Sequence, residues 1–224
     1  LLAWRPKMTP PLRIDFVSDV ACPWCVVGLR SLLKALDETG AMAEIHLQPF
    51  ELNPDMPPEG ENTAEHVAKK YGSTPERSNA AREVIKSHGA ALGFTFNYGP
   101  ESRIWNTFDA HRLLHWAELE GQGLALKESL FKLNFTDQRS TSDHAALIDA
   151  VRDAGLDVVR AGAILATDEF AAEVRQAEDF WRSNGINAVP SAIFNQRWLI
   201  QGGQPPEVFA QVIRDVISGK AKEA

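Results

Sequence analysis

Cysteine is scarce in this chain, and long apolar runs and clusters of positive charge are absent. The 224 residues include two cysteines, too few for the disulfide framework that stabilises small secreted domains. No run of about 18 apolar residues is present, so the sequence predicts no membrane-spanning helix. The formal net charge of -7 argues against nucleic acid as a partner, because phosphate binding requires clustered Lys and Arg.

The N-terminal segment also lacks the features of a secretory signal. It contains no apolar stretch of about 7–15 residues followed by a small-residue cleavage site. We therefore expect a cytoplasmic protein that is not attached to a membrane. Residues 1–7 precede Met8, and we interpret them as an upstream extension that is not part of the fold.

Apolar periodicity predicts an α/β unit at the start of the chain. Apolar residues alternate at period two over residues 12–17, which is typical of a strand. From Pro23 the apolar positions recur at helical spacing until Gly40. Residues 43–50 read as a second strand, which should lie parallel to the first because a helix connects the two.

The rest of the chain divides into a helical middle and a second α/β unit. Two strands, 191–194 and 198–201, precede a last helix that begins at Pro205-Pro206 and runs through Ser218. The βαβ and ββα units together predict one α/β layer, and the helical middle predicts an inserted domain. The helices predicted in this middle part cover 63–71, 75–92, 106–120, 124–134, 142–154, 157–165 and 168–184.

The run Cys22-Pro23-Trp24-Cys25 carries the candidate chemistry. Residues i and i+3 share one helical face, so two cysteines in the first turn of a helix can close a small disulfide ring. At the helix N-terminus, unsatisfied N–H groups and the positive end of the helix dipole favour a thiolate at Cys22. Cys25 lies one turn inward and is shielded. We therefore predict that Cys22 attacks a partner disulfide and that Cys25 resolves the mixed disulfide.

Pro23 and Trp24 are expected to tune this redox pair. Neither residue places a positive charge beside the thiols, so the sequence predicts a weaker oxidant than a histidine at position 24 would give. The direction of electron flow stays open, although a cytoplasmic setting favours reduction or isomerisation of disulfides.

A zinc site is the alternative interpretation of a Cys-x-x-Cys pair. Tetrahedral zinc requires two further ligands, and the chain has no second cysteine pair. His111 and His115 have the i, i+4 spacing of helical ligands, but Arg112 stands where the metalloprotease motif has Glu. We interpret both histidines as structural or solvated and expect no metal.

Five segments of the sequence together resemble a known family. They are Asp15-Phe16, Ser18 to Cys25 with Gly28, Phe50 to Pro54, Asn106-Thr107 with Ala110 to Arg112, and Gly185 to Ser191. This pattern resembles the DsbA-like thioredoxin-fold oxidoreductases, in particular the FrnE-type cytoplasmic branch. The resemblance implies a thioredoxin-like fold of residues 9–60 and 185–220, interrupted by an all-helical domain of residues 61–184.

The resemblance also implies partners for the cysteine pair. In this family the proline at the position of Pro190 is cis and faces the cysteines, and the backbone of the preceding residue, here Val189, contacts a bound peptide or thiol. Thioredoxin-like proteins often carry a buried acid on the first strand, which accepts the proton of the resolving thiol. Asp15 is in a corresponding strand, although alternation equally allows it a solvated edge position.

Other residues are expected to form a groove for a thiol co-substrate. The expected lining consists of Asn53, Trp105, Asn106 and Val189. Glutathione is the candidate occupant, as a substrate or a reductant, and no tightly bound cofactor is expected.

Two other functions stay open at this point. Kappa-class glutathione transferases and 2-hydroxychromene-2-carboxylate isomerases share the scaffold and bind glutathione, but they generally have serine at the position of Cys22. A non-catalytic chaperone that uses an exposed aromatic such as Trp24 is the third interpretation. The presence of both Cys22 and Cys25 favours disulfide exchange with protein or small-molecule thiols.

Overall fold

A four-stranded mixed sheet forms the centre of the thioredoxin-like part. The computed structural model describes residues 10–221, so the proposed extension over residues 1–7 lies outside the described residues. The strands are β1 (Leu12–Ser18), β2 (Ala43–Pro49), β5 (Ser191–Phe194) and β6 (Trp198–Gln201), in the order β2-β1-β5-β6. β1 is parallel to β2 and antiparallel to β5, which is antiparallel to β6.

Helices flank this sheet and fill the chain between its two halves. The helix before β2 is α1 (Pro23–Thr39), and the last helix is α9 (Pro206–Ile217). Between them lie α2 (Thr63–Tyr71), α3 (Pro75–Ala91), α4 (Phe108–Leu119), α5 (Gly123–Phe131), a π-helical segment (Lys132–Thr136), α6 (His144–Asp153), α7 (Val158–Leu165) and α8 (Ala171–Ser183). Within residues 10–221, none of these helices is both long and apolar enough to cross a membrane.

Local sequence signals explain where α1 begins and ends. Pro23 occupies the first helical position, where its missing N–H costs no hydrogen bond. Cys22 is the N-cap residue and has extended backbone angles. Gly40 ends the helix in the left-handed conformation, with φ of 63°, which glycine adopts without a Cβ penalty.

Among residues 10–221, two large apolar cores and a small third one, which contains Val17, Phe50, Ile186 and Ile193, hold the molecule together. The first lies between the sheet and α1, contains Phe16, Leu29 and Phe209, and extends to the aromatic residues Phe131 and Phe135 of the helical region. The second joins α4, α5, α6 and α7. The helical region therefore shares a core with the α/β layer next to α1.

The predicted fold class is confirmed, and so are both predicted units. The βαβ unit of β1, α1 and β2 has the expected parallel pairing, and β5, β6 and α9 form the ββα unit. The sequence reading missed a ladder between β3 (Glu61–Asn62) and β4 (Arg103–Ile104). Two residues a strand are too few to show an alternating pattern.

Candidate active site

The two cysteines lie at the start of α1 at different depths. Both are free thiols. The Cys22 side chain is 4% exposed, whereas Cys25 is fully buried. The Cys25 N–H donates to the Cys22 carbonyl over 3.0 Å, which fixes the tight turn between them. The structure thus leaves a small part of Cys22 accessible to solvent and shields Cys25 completely.

A cis proline faces the first thiol. The Val189–Pro190 peptide bond is cis, and the Cys22 Sγ lies 3.7 Å from the Val189 carbonyl oxygen, to which its S–H donates. A Cβ built on Gly28 would come within 2.9 Å of Pro190 Cγ. Gly28 therefore allows α1 to pack closely against the proline, next to the cysteines.

The environment of Cys25 opposes its ionisation. Burial raises the pKa of the Cys25 thiol well above its ordinary value, and the adjacent Cys22 sulfur raises it further. The positive charge of Lys127 and the backbone of Asp19 act in the opposite direction. Cys25 therefore enters the reaction as a protonated thiol, which suits a resolving cysteine.

Lys127 is a buried lysine, electrostatically coupled to the redox pair, that sequence reasoning missed. It lies on α5, is 1% exposed, and its Nζ is 5.1 Å from the centre of the Phe131 ring. Among the described residues it forms no ion pair or hydrogen bond. Burial lowers the pKa of Lys127. The negative charges of Cys25 and Asp19 act in the opposite direction and raise it. The Lys127 and Cys25 side chains therefore influence each other's ionisation.

Asp19 organises the loop before the redox pair. Its carboxylate accepts hydrogen bonds from the backbone N–H groups of Ala21 and Leu52 and lies 3.3 Å from His111 Nε2. Burial by itself raises the pKa of Asp19, but the hydrogen bond and charge of His111 hold it below its ordinary value. His111 is buried in this contact. Within residues 10–221, no group of three or more potential ligands is arranged to hold a metal ion.

The structure does not bring Asp15 to the thiols, and this corrects its expected tuning role. The Asp15 carboxylate accepts two hydrogen bonds from the Arg13 guanidinium and one from Gln48 Nε2. Ile14 and Phe16 face the core that contains both cysteines. Because side chains alternate along a strand, Asp15 points to the other face of the sheet.

A cleft of about 600 Å³ opens beside Cys22, and we call it the thiol cleft. Trp24 lies on its wall, with the indole ring 5.5 Å from the His88 ring in an edge-on arrangement. The opposite walls come from the helical region, through residues such as Ile85, Tyr98 and Phe135. The thiol cleft thus lies between the α/β layer and the inserted helices.

The predicted groove residues are only partly assembled at the thiol cleft. Asn53 and Val189 line it, and Asn53 Oδ1 accepts a hydrogen bond from Lys70 Nζ. Trp105 is buried and, like Asn106, is not part of the lining, which corrects their expected contact with substrate. Asn106 instead fixes the segment before α4: its Oδ1 accepts from the N–H of Phe108, the first residue of the helix, and its Nδ2 donates to the Met56 carbonyl.

Comparison with known proteins agrees with this geometry. A family model described as a DSBA-like thioredoxin domain matches residues 13–214. The probable DsbA oxidoreductase SCO1869 from Streptomyces coelicolor is 31% identical, with 95% of this chain and 92% of that chain covered and a TM-score of 0.87. No curated protein matches the chain.

More distant solved structures share the fold. The cytosolic disulfide reductase DsbM from Pseudomonas aeruginosa, solved with GSH, has a TM-score of 0.63 at 14% identity, with 92% of this chain and 99% of that chain covered. A 2-hydroxychromene-2-carboxylate isomerase has a TM-score of 0.70 at 10% identity, with 92% and 97% covered. The family model spans most of the sequence, including both cysteines and the cis proline. The chain therefore belongs to the DSBA-like thioredoxin domain family.

Proposed function

We propose that this protein is a thiol–disulfide oxidoreductase that reduces or isomerises disulfides through Cys22 and Cys25. The observation that carries the proposal is the different depth of two free thiols in the first turn of α1. Cys22 borders the thiol cleft and touches the Val189 carbonyl, while Cys25 is fully buried beneath it. A substrate disulfide therefore meets Cys22 first.

The reaction consists of two exchanges. The Cys22 thiolate attacks one sulfur of the substrate disulfide, the substrate S–S bond breaks, and the other sulfur leaves as a thiolate that takes up a proton. Cys25 then loses its proton and attacks the Cys22 sulfur, which releases the second substrate thiol and forms the Cys22–Cys25 disulfide. The substrate gains two electrons and the protein loses two. Two molecules of a small thiol, with glutathione as our candidate, reduce the protein disulfide again.

Substrates in this proposal are disulfides of proteins or small molecules, and the setting is the cytoplasm, as in the FrnE-type branch. The likeness to DsbM, which is named as a cytosolic disulfide reductase and was solved with GSH, supports glutathione as the reductant. Because neither Pro23 nor Trp24 carries a positive charge, we expect a reduction potential of roughly -180 to -270 mV, in the range of isomerases and thioredoxin.

A glutathione transferase or an isomerase on the same scaffold is the competing proposal. The thiol cleft and the shared fold with a 2-hydroxychromene-2-carboxylate isomerase favour it. A transferase or isomerase of this kind uses one group at the position of Cys22 and has no need for a second thiol. The buried Cys25 therefore favours disulfide exchange.

Steady-state reduction of insulin with glutathione as the electron donor tests the proposal. We expect the wild type to catalyse many turnovers, Cys22→Ser to have no activity, and Cys25→Ser to form a mixed disulfide without efficient turnover. Retention of wild-type activity in Cys22→Ser would contradict the proposal. The competing function would be favoured by a different result. In that case Cys25→Ser conjugates or isomerises glutathione-dependent substrates at the wild-type rate, and neither Cys25→Ser nor the wild type turns over disulfides.

A further inference from the structure

The thiol cleft has a charge that differs from that of the whole molecule. The chain has 30 acidic and 23 basic residues, yet the part of the cleft lining that the structure describes contains two arginines and a histidine and no Asp or Glu. Two of these three residues already have partners. Arg103 donates to the backbone carbonyls of Glu59 and Gly60, and His66 is bonded to Glu61.

Arg82 is the arginine of the thiol cleft whose guanidinium donors are not engaged by another group of the described chain. It is a half-buried residue of α3, and its guanidinium carbon is 5.7 Å from the centre of the Tyr98 ring. Within residues 10–221 it forms no hydrogen bond and no ion pair. A guanidinium presents a planar fork of donors that matches a carboxylate. Stacking over a ring leaves these donors free for such a ligand.

An apolar wall connects Arg82 with the reactive thiol. Tyr98 stacks on Phe96, with ring centres 5.8 Å apart, and packs edge-on against Phe135. Burial raises the pKa of Tyr98, and the effects of Cys22 and Arg82 on it have opposite signs. Tyr98 is therefore within electrostatic range of both groups. A ligand that spans the thiol cleft contacts an apolar surface between a sulfur at one side and a cation at the other.

We propose that Arg82 binds a carboxylate of a small disulfide whose apolar body lies against Tyr98 while one of its sulfurs reaches Cys22. The inference rests on the proposed function and specifies its substrate class. The volume of about 600 Å³ falls within the range of small-molecule sites. In the reaction the Cys22 thiolate bonds to the nearer sulfur, the S–S bond breaks, and the displaced carboxylate-bearing half leaves as a thiolate.

Two aromatic disulfides that both react with protein thiols, one charged and one neutral, test this inference. Dithiobis(nitrobenzoate) carries carboxylates on both rings, whereas dithiodipyridine is uncharged, and each releases a product whose absorbance can be followed. Second-order rate constants are measured for the first exchange with the reduced protein. The variants are Arg82→Gln and Arg82→Lys, and the matched control is Arg77→Gln, an exposed arginine on the same helix.

We expect Arg82→Gln to lower the rate constant with dithiobis(nitrobenzoate) about tenfold, as for the loss of one charge-assisted contact. The rate constant with dithiodipyridine should stay within about twofold. Arg82→Lys should recover part of the lost rate because the charge is kept, and Arg77→Gln should resemble the wild type with both reagents.

One set of outcomes would overturn the role of Arg82, and another would overturn the proposed function. Equal rate changes with both reagents in Arg82→Gln, or no change with either, would overturn the role of Arg82 and leave the proposed function intact. If wild type and Cys22→Ser react alike with both reagents, Cys22 is not the attacking thiol, and the proposed function itself fails.

Discussion

Lys127 is a lysine that is almost fully buried, although no local sequence signal predicts its burial. A lysine pays a large desolvation penalty when it is buried without a counter-ion. Here the ammonium group instead acts on Cys25 and Asp19. When Cys25 ionises to attack the mixed disulfide, its thiolate adds a further negative charge near Lys127, beside that of Asp19. The residue therefore favours the second exchange more than the resting state.

Removing this cation should slow the resolving step. We expect Lys127→Met to raise the pKa of Cys25 further and to prolong the lifetime of the mixed disulfide at Cys22 several-fold at neutral pH. Acid quenching followed by mass spectrometry measures that lifetime. The difference from wild type should shrink as the pH rises, because Cys25 then ionises in both proteins.

The matched control is Lys34→Met, which removes a lysine that is about half exposed on the helix that carries both cysteines. It should resolve the mixed disulfide at the wild-type rate. A lifetime in Lys127→Met equal to that of Lys34→Met over the whole pH range would contradict the assigned role.

At the scale of elements, the approach of α1 to the cis proline depends on one glycine. The Cβ of an alanine at position 28 would lie 2.9 Å from Pro190 Cγ, and a proline ring in a packed turn cannot move away easily. We expect Gly28→Ala to destabilise the fold by about 1–3 kcal/mol, as overpacking does, in urea unfolding.

Gly162 provides the comparison, because it also lies inside a helix, α7, but a Cβ there meets no atom within 4 Å. Gly162→Ala should stabilise the protein by up to about 1 kcal/mol through helix propensity. Equal effects of the two substitutions would show that propensity, and not contact with Pro190, decides the result at position 28.

The elements followed from the sequence far better than the contacts between them. Period-two alternation in β1 and the proline and glycine at the ends of α1 are local signals, and the structure contains both elements. The burial of Lys127 has no local signal, because its surroundings are built by loops and helices distant in sequence. Asp15 was assigned to the site because it lies on the strand before the cysteines. Its side chain is on the opposite face of the sheet, so it does not contact them.

Helix ends in the middle region show the same limit. Phe170 adopts a left-handed conformation with φ of 64°, and α8 begins at the next residue, Ala171, three residues later than the sequence predicted. Such a conformation is uncommon for a bulky residue and carries no propensity signal. The division into domains at residues 60 and 184 stays a prediction.

At the scale of the whole molecule, two buried carboxylates and an exposed arginine join the α/β layer to α8. The Arg175 guanidinium donates to the carboxylates of Glu51 and Glu178, and the Glu51 N–H donates to Glu178 Oε1 over 2.9 Å. Burial and the charge of Glu178 raise the pKa of Glu51 to about 7. Protonated Glu51 is therefore favoured by folding.

This shift predicts how stability depends on pH. A carboxyl whose pKa is raised in the folded state binds more protons there than in the unfolded chain, so its contribution is present at low pH and is lost as the pH rises. Relative to Glu51→Gln, the wild type should lose stability between pH 4.5, the ordinary pKa, and about 7. Urea unfolding across this range measures the difference, with Glu44→Gln, an exposed residue of β2, as the control. Parallel pH profiles of wild type and Glu51→Gln would contradict the assignment.

The central claim is that Cys22 attacks the substrate disulfide and that Cys25 resolves the resulting mixed disulfide. Trapping this mixed disulfide tests the claim most directly. Each single-serine variant is reduced, incubated with excess oxidised glutathione, quenched in acid and analysed by intact and peptide mass spectrometry. We predict one glutathione attached to Cys22 in Cys25→Ser and almost none attached to Cys25 in Cys22→Ser. Equal modification of both variants, or modification of Cys25 alone, would contradict the account.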